Sequence, residues 1–384
     1  MIPDQRLHSF DNLRALAMLS GVLFHAALAY SPLMHPYWLT ADRGQWVGVD
    51  VVVWFLHLFR MPLFFAIAGF FAARQVAQRG LGGLLRNRAA RVLLPLLLFW
   101  PVVTASFEWL IGWATVSVVH VSPVLQAIRD DRLPVLPPSL SHLWFLYYLM
   151  LFYLLVWIAK TVELKVDVSR VWALPPFWLA VGAPLLLIPS LASVLAPTPA
   201  PEGVLPQLWA LAFYGLFFAF GYALHTRPQW LSSLGRLAPG LAIGSLAAYV
   251  GFLWTLDLQS GDLMMRLVQA GLQACVSVWM TLWCLQAGDA WLSTKIGWLR
   301  YLADSSYWTY LVHLPLLFAV QIAIMDWDLA WPFKLTISLV VTFAVCLLSY
   351  QFTVRHTLLG RLLNGKPRAP ILAEPPVRPL SQSD

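Results

Sequence analysis

The chain reads as an all-α polytopic membrane protein with about ten transmembrane helices and both termini in the cytoplasm. Three observations predict this. Hydrophobic residues make up 60% of the 384 and charged residues only 11%, too apolar a balance for a soluble domain. Apolar runs of roughly 18 to 25 residues recur from end to end, the length a helix needs to cross a bilayer. Of the 25 Lys and Arg, eighteen fall on the side that holds the N-terminus and five on the other, the asymmetry that sets orientation. The net charge of +7 follows from that topology and gives no case for nucleic acid.

The expected spans are about 13–31, 47–73, 92–119, 142–159, 171–193, 207–225, 237–256, 265–287, 300–323 and 331–353, each long enough to cross at about 1.5 Å per residue. Residues 1–365 form one transmembrane domain, and the Pro-rich, polar tail 366–384 is expected to be a disordered cytoplasmic segment. The first span is not a cleavable signal peptide: it carries Arg14 and His25 and runs into Tyr30-Ser31-Pro32 without a small-residue cleavage site. Outer loops are expected at about 120–141 and at Ala196-Pro-Thr-Pro-Ala-Pro201. Cys275, Cys284 and Cys346 all fall within spans and suggest neither a disulfide frame nor a zinc site, so no metal is expected.

Polar residues inside these spans need a reason, because lipid penalises them. Arg14 and His25 stand eleven residues apart in the first span, close to three helical turns, so they share a face roughly 16 Å apart along the axis. Asp11 lies one turn before Arg14 and can pair with it. The pattern suggests a charged anchor near one membrane surface and a titratable base near the bilayer middle, while a snorkelling Arg and a packed His would be the plainer account. In the second span Asp50, Trp54, His57 and Met61 line one stripe, with Arg60 a turn from His57. Such a stripe faces a bundle interior or water, whether for function or only to hold helices together. Pro62 is tolerated there if neighbours satisfy the backbone group it frees.

Arg86, Arg88 and Arg91 follow, with Arg88 and Arg91 on one helical face at the cytoplasmic surface. Orientation alone accounts for basic residues there, and Arg forks equally suit phosphates of a polyanionic cytosolic ligand. His142 and Trp144 open the fourth span at the outer face, as an aromatic belt or a sugar-stacking surface. Ser306, Tyr310 and His313 share a face of the ninth span ahead of Pro315. Glu108 is a further acid in the third span without an evident partner. Internal repeats of the kind secondary transporters show are not apparent, which leaves a transporter as the weaker alternative.

Taken together these motifs resemble the membrane-bound acyltransferase 3 family. They are Arg14 and His25 as Arg-x10-His; His57-Leu-Phe-Arg60-Met; Phe64-Phe-Ala-Ile-Ala-Gly69-Phe; Arg88-x-x-Arg91; Ser141-His-Leu-Trp-Phe-Leu146; Tyr310-Leu-Val-His313-x-Pro315; and Gly365-Lys-Pro367. Within the family they are similar to the group that modifies osmoregulated periplasmic glucans. One departure is Ala68, where the wider family often has Ser, so this position is not expected to be a nucleophile. The resemblance implies a bacterial inner-membrane protein that moves an acyl group from a cytosolic acyl-CoA cosubstrate (succinyl-CoA or acetyl-CoA) to a hydroxyl of a periplasmic glucan or polysaccharide; for the glucan group the acyl is succinyl. It assigns His25 and Arg14 to catalysis, Arg86, Arg88 and Arg91 to the CoA phosphates, and His57, Arg60, His142, Trp144, Tyr310 and His313 to the acceptor or the acyl carboxylate. His suits the deprotonation of an acceptor hydroxyl. No Cys sits in these motifs to carry a thioester.

Overall fold

The computed structural model describes residues 4–132, 138–164, 169–256, 262–294 and 296–364. In chain order the α-helices are α1 (Asp4–Ala27), α2 (Val47–Arg88), α3 (Leu94–Ser117), α4 (Pro123–Arg129), α5 (Trp144–Thr161), α6 (Ser169–Ala173), α7 (Pro176–Ala192), α8 (Leu208–Leu224), α9 (Trp230–Ser233), α10 (Ala238–Leu256), α11 (Leu263–Trp291), α12 (Gly297–Ile324), α13 (Trp331–Ser349) and α14 (Leu358–Asn364). No strand forms among the described residues, as the all-α reading requires. The tail 366–384, the Gly365-Lys366-Pro367 motif, Lys165, Lys295 and residues 133–137 of the long outer loop lie outside the described residues.

Among the described residues seven segments are long and apolar enough to cross a membrane. One of them, Val47–Ser117, has 71 residues, far more than one crossing of a hydrocarbon core of about 30 Å needs, and it contains both α2 and α3. The two shorter apolar helices, α7 and α8, have 17 residues each. Each expected span therefore has its helix. The stretch 74–91 is a correction: read as a connection, it instead continues α2 to Arg88 and joins α3 through a π-helical turn, Ala89–Leu93. The bend that makes this possible is Gly80, at φ 66° and ψ −177°, a conformation open essentially to glycine alone.

Close packing positions the bundle. Among the helix pairs α2 lies most extensively against α8, and α1 is wedged between α2, α11 and α12. At the α2–α8 crossing, a Cβ on Gly69 would strike the Phe218 carbonyl and one on Gly221 the Ala66 carbonyl. Small residues let the two backbones touch, the usual way helices gain packing where lipid gives no hydrophobic drive between them. Fully buried aromatics, among them Phe65, Phe70, Tyr148 and Tyr153, fill the space around that crossing.

Of the prolines inside helices, Pro62, Pro184 and Pro315 each free a carbonyl four residues back that a side chain meets. Ser277 Oγ donates to Leu58 O at 2.6 Å, opposite Pro62. Trp279 Nε1 donates to Ala180 O at 2.8 Å, opposite Pro184. His142 Nε2 lies 3.4 Å from Leu311 O, opposite Pro315. The first two are neat repairs of backbone polarity in an apolar bundle. The third draws an imidazole to the centre of the molecule.

The connection between α1 and α2 folds back over one end of the bundle. Ser31 Oγ donates to Asp50, Thr40 Oγ1 donates to Gln321 at 2.6 Å, and Ser122 Oγ donates to Leu39 O at 2.8 Å. Lys334 Nζ, 3% exposed, pairs with Asp42 at 2.7 Å and also donates to Met325 O at 2.9 Å. A buried pair with an additional hydrogen bond can hold its geometry against the cost of desolvation. The loop is fixed, and it delivers Trp38 to the site below.

Candidate active site

A cavity of about 1690 Å³ runs through the bundle between α1, α2, α3, α5 and α12. One end is bordered by Arg14, Arg74, Arg88 and Arg91, the other by Ile128, Asp131, Ser139 and Glu202. Arg91 and Thr115 both line it, and at about 1.5 Å per residue they stand about 35 Å apart along the chain of helix that joins them. The cavity is therefore as long as a membrane core is thick.

Four imidazoles and one guanidinium occupy its middle: His25 on α1, His57 and Arg60 on α2, His142 in the 3-10 turn that opens α5, and His313 on α12. The His25 and His313 ring centroids are 5.4 Å apart, and those of His313 and His142 5.2 Å. The Phe24 ring carries two contacts, with the His57 ring stacked at 5.3 Å and the Arg60 guanidinium 4.5 Å from its centroid. Arg60 is only 6% exposed and its Nη1 has no hydrogen-bond partner. Neither Glu108 nor any other carboxylate among the described residues lies within ion-pair reach of it. A cation buried this way is costly, so it points to an anionic group that arrives with a ligand.

The hydrogen bonds give each imidazole a different task. His57 Nε2 donates to Thr198 O at 2.7 Å, and Thr198 in turn donates through N and Oγ1 to Gln273. The Ala196–Pro201 loop is thus drawn into the bundle to cap His57, and Ala200 reaches the cavity wall. Tyr310 donates its hydroxyl to the His142 carbonyl at 2.5 Å, so it positions the turn carrying His142, while its ring borders the cavity. Trp144 is buried against Phe65 and Tyr214 and contributes wall. His313 Nδ1 is held by Tyr310 O at 2.9 Å and Thr309 O at 3.1 Å. His25 has no partner at Nδ1, and the Trp38 indole stacks on its ring at 6.1 Å and 15°.

At the basic end, Arg14 pairs with Asp11 at 3.4 Å as its spacing predicts, with its side chain 40% exposed. Arg88 lies over the Tyr153 ring at 4.9 Å. Of the three arginines assigned to a donor, Arg88 and Arg91 border the cavity, whereas Arg86 is exposed and takes no part in its wall. All the other residues singled out from the sequence, namely Arg14, His25, His57, Arg60, His142, Trp144, Tyr310 and His313, border the same cavity. Sequence reasoning gave no role to Arg74, Trp38 or Glu202. Arg74 stands in α2 one turn before Gln78 on the wall and was legible only as an orientation charge; the other two sit in connections, where no periodicity marks them. Glu202 is exposed at the cavity wall and accepts a hydrogen bond from Ser139 Oγ at 3.1 Å, while desolvation by the protein around it raises its carboxyl pKa.

This geometry suits a reaction between a polyanion held at the basic end and a second substrate reaching the imidazoles from the opposite end. A family model described as an acyltransferase domain matches residues 7–351. The chain belongs to that acyltransferase family. It is similar to the glucans biosynthesis protein C of Salmonella paratyphi A (strain ATCC 9150 / SARB42), at 24% identity over 378 residues, covering 95% of this chain and 96% of the relative. The proteins of the same name from Salmonella paratyphi B and Salmonella enteritidis PT4 are each 25% identical over 376 residues, with the same coverage. No solved structure gives a significant match. The chain is thus a polytopic membrane acyltransferase whose sequence likeness extends over nearly its whole length.

Proposed function

We propose that this enzyme takes an acyl group from a cytosolic acyl-CoA and places it on a hydroxyl of a periplasmic glucan at a bacterial inner membrane, with both termini in the cytoplasm. The observation that carries this reading is one continuous cavity with arginines at one end, imidazoles at its middle and carboxylates at the other end. Arg88 and Arg91, joined by Arg14 and Arg74, suit the phosphates of the donor, since guanidinium forks match phosphate geometry. Along α1, Arg14 and His25 are about 16 Å apart, so a phosphate-anchored donor extends its thioester arm toward His25. The acceptor sugar enters from the end bordered by Ser139 and Glu202, between aromatic walls. The glucan follows from the names of the relatives. Succinyl is favoured as the acyl group because its distal carboxylate would match Arg60, which an acetyl group leaves unmatched.

In the reaction the hydroxyl oxygen forms a bond to the thioester carbon, the carbon–sulfur bond breaks, and the hydroxyl proton ends on the sulfur. His25 stands at the centre of that exchange, and Arg14 orients the donor. None of Cys275, Cys284 and Cys346 borders the cavity, so nothing supports a thioester on the enzyme, and the transfer is read as direct. The test is a membrane preparation with and without the protein, given radiolabelled succinyl-CoA or acetyl-CoA and a purified glucan. Label covalently bound to glucan, with the mass of the acyl ester, is the expected result. Glucan that crosses the membrane unmodified would overturn the reading in favour of a carrier.

A further inference from the structure

The tautomers of the four imidazoles divide the chemistry among them. A carbonyl oxygen accepts hydrogen bonds and never donates. His313 Nδ1 faces two of them, Tyr310 O at 2.9 Å and Thr309 O at 3.1 Å, so that nitrogen carries the proton. Nε2 of His313 therefore keeps its lone pair, has no protein partner among the described residues and borders the cavity. His25 is the reverse. Its Nδ1 is buried without a partner, and Nε2 is the nitrogen left to the cavity. A buried lone pair left unmatched is tolerated better than a buried N–H left unmatched, which puts the His25 proton on Nε2. The other two rings are committed: His57 donates from Nε2 to Thr198 O and buries Nδ1, while His142 has Leu311 O against Nε2 and the Ser141 hydroxyl against Nδ1, each at 3.4 Å. One imidazole thus presents a free acceptor to the cavity, and its neighbour, 5.4 Å away between ring centroids, presents a donor.

Building on the acyl transfer proposed above, we infer that His313 takes the acceptor hydroxyl's proton, while His25 donates a hydrogen bond to the thioester carbonyl. The hydroxyl proton moves to His313 Nε2 as the oxygen–carbon bond forms. The carbonyl oxygen gains negative charge, and His25 Nε2–H stabilises it without giving up its proton, as a preorganised donor does. When the carbon–sulfur bond breaks, the sulfur keeps the electron pair and takes the proton from His313. Both rings end as they began. His25 remains indispensable in this scheme, with a role different from the base that its motif suggests.

A nucleophile that needs no base separates the two roles. The purified full-length enzyme is given succinyl-CoA with either a glucan oligosaccharide or hydroxylamine, which attacks thioesters as the neutral amine and yields a hydroxamate. His313→Gln should lower transfer to glucan by roughly 10²-fold or more, the usual worth of a general base, and leave hydroxamate formation within a few-fold of wild type. His25→Leu should lower both, because the carbonyl needs its donor whichever nucleophile attacks. Retained glucan transfer in His313→Gln, or a His25→Leu enzyme that loses only glucan transfer, would overturn the assignment. Should His313→Gln lose both reactions, His313→Ala with added imidazole decides: glucan transfer restored by the free base supports it, and no restoration overturns it. A wild-type enzyme that forms hydroxamate but never acylates glucan would instead count against the proposed acceptor.

Discussion

Replacing Arg60 with Leu probes the identity of the acyl group. The guanidinium is 6% exposed, has a buried Nη1 without a partner and is set 4.5 Å from the Phe24 ring centroid. A hydrogen bond to a charged group contributes about 1.5–3 kcal/mol, and a single such bond from Arg60 to a succinyl carboxylate would sit in this range. Since about 1.4 kcal/mol is a factor of ten, wild-type enzyme should favour succinyl-CoA over acetyl-CoA by roughly 10- to 150-fold in kcat/KM. Arg60→Leu should bring that ratio close to one, chiefly by lowering succinyl transfer, with acetyl transfer much less affected. The substitution breaks no ion pair among the described residues, so the thermal midpoint in detergent should not fall as it does when a buried charge loses its partner. The assay is direct competition between the two thioesters, with products separated by mass. A wild-type ratio near one, or a preference that survives Arg60→Leu, would refute the reasoning and remove succinyl from the reading while leaving the acyltransferase intact.

Three further outcomes are expected. His25→Ala should reduce acyl transfer by roughly 10²-fold or more in protein that still inserts and melts normally; near-normal turnover would remove His25 from the chemistry. Arg88→Ala and Arg91→Ala should each raise the KM for acyl-CoA, and added salt should weaken wild-type binding in the same direction, whereas Arg86→Ala, away from the cavity wall, should change neither; equal KM values in all three would return these residues to a role in orientation. Lys334→Met leaves Asp42 buried without its cation and should destabilise the fold by about 3–5 kcal/mol; the double variant Lys334→Met/Asp42→Asn should recover part of the loss in a thermal melt, and an unchanged melt in the single variant would show that the pair does not hold the loop.

The passes were legible because length and hydropathy report directly on the bilayer, and the polar face of α1 because an eleven-residue spacing returns to the same side of a helix. Arg14 and His25 both border the cavity, and Asp11 pairs with Arg14 as its spacing suggests. What the sequence could not reveal depends on contacts between distant segments. The cap on His57 comes from Thr198, 141 residues away, and the repair opposite Pro62 from Ser277, 219 residues from Leu58. The stretch 74–91 fell between two apolar spans and carried no span signal of its own, although within α2 only Gly80 departs from helical geometry. Arg86 was assigned to the donor together with Arg88 and Arg91, yet two positions on a helix turn its side chain away from Arg88.

The charges along the cavity differ between its two ends. At the basic end, Arg14, Arg74, Arg88 and Arg91 converge, and the acid that borders the cavity there, Asp304, is paired with Arg300 at 3.6 Å. Toward the other end the acidic wall residues are Glu108, Asp131 and Glu202, with Glu108 exposed to the cavity. Arginines on one wall favour a polyanion there over the end where carboxylates line the wall. A neutral polyol meets no such bias and can donate its hydroxyl hydrogens to the carboxylates. Under the proposed reaction the donor thus has one favourable entrance and the acceptor has the other, and they meet where His25 and His313 stand 5.4 Å apart between ring centroids. An anionic ester, once formed, carries a charge that the acidic mouth disfavours, so the same carboxylates that admit a bare sugar resist its return.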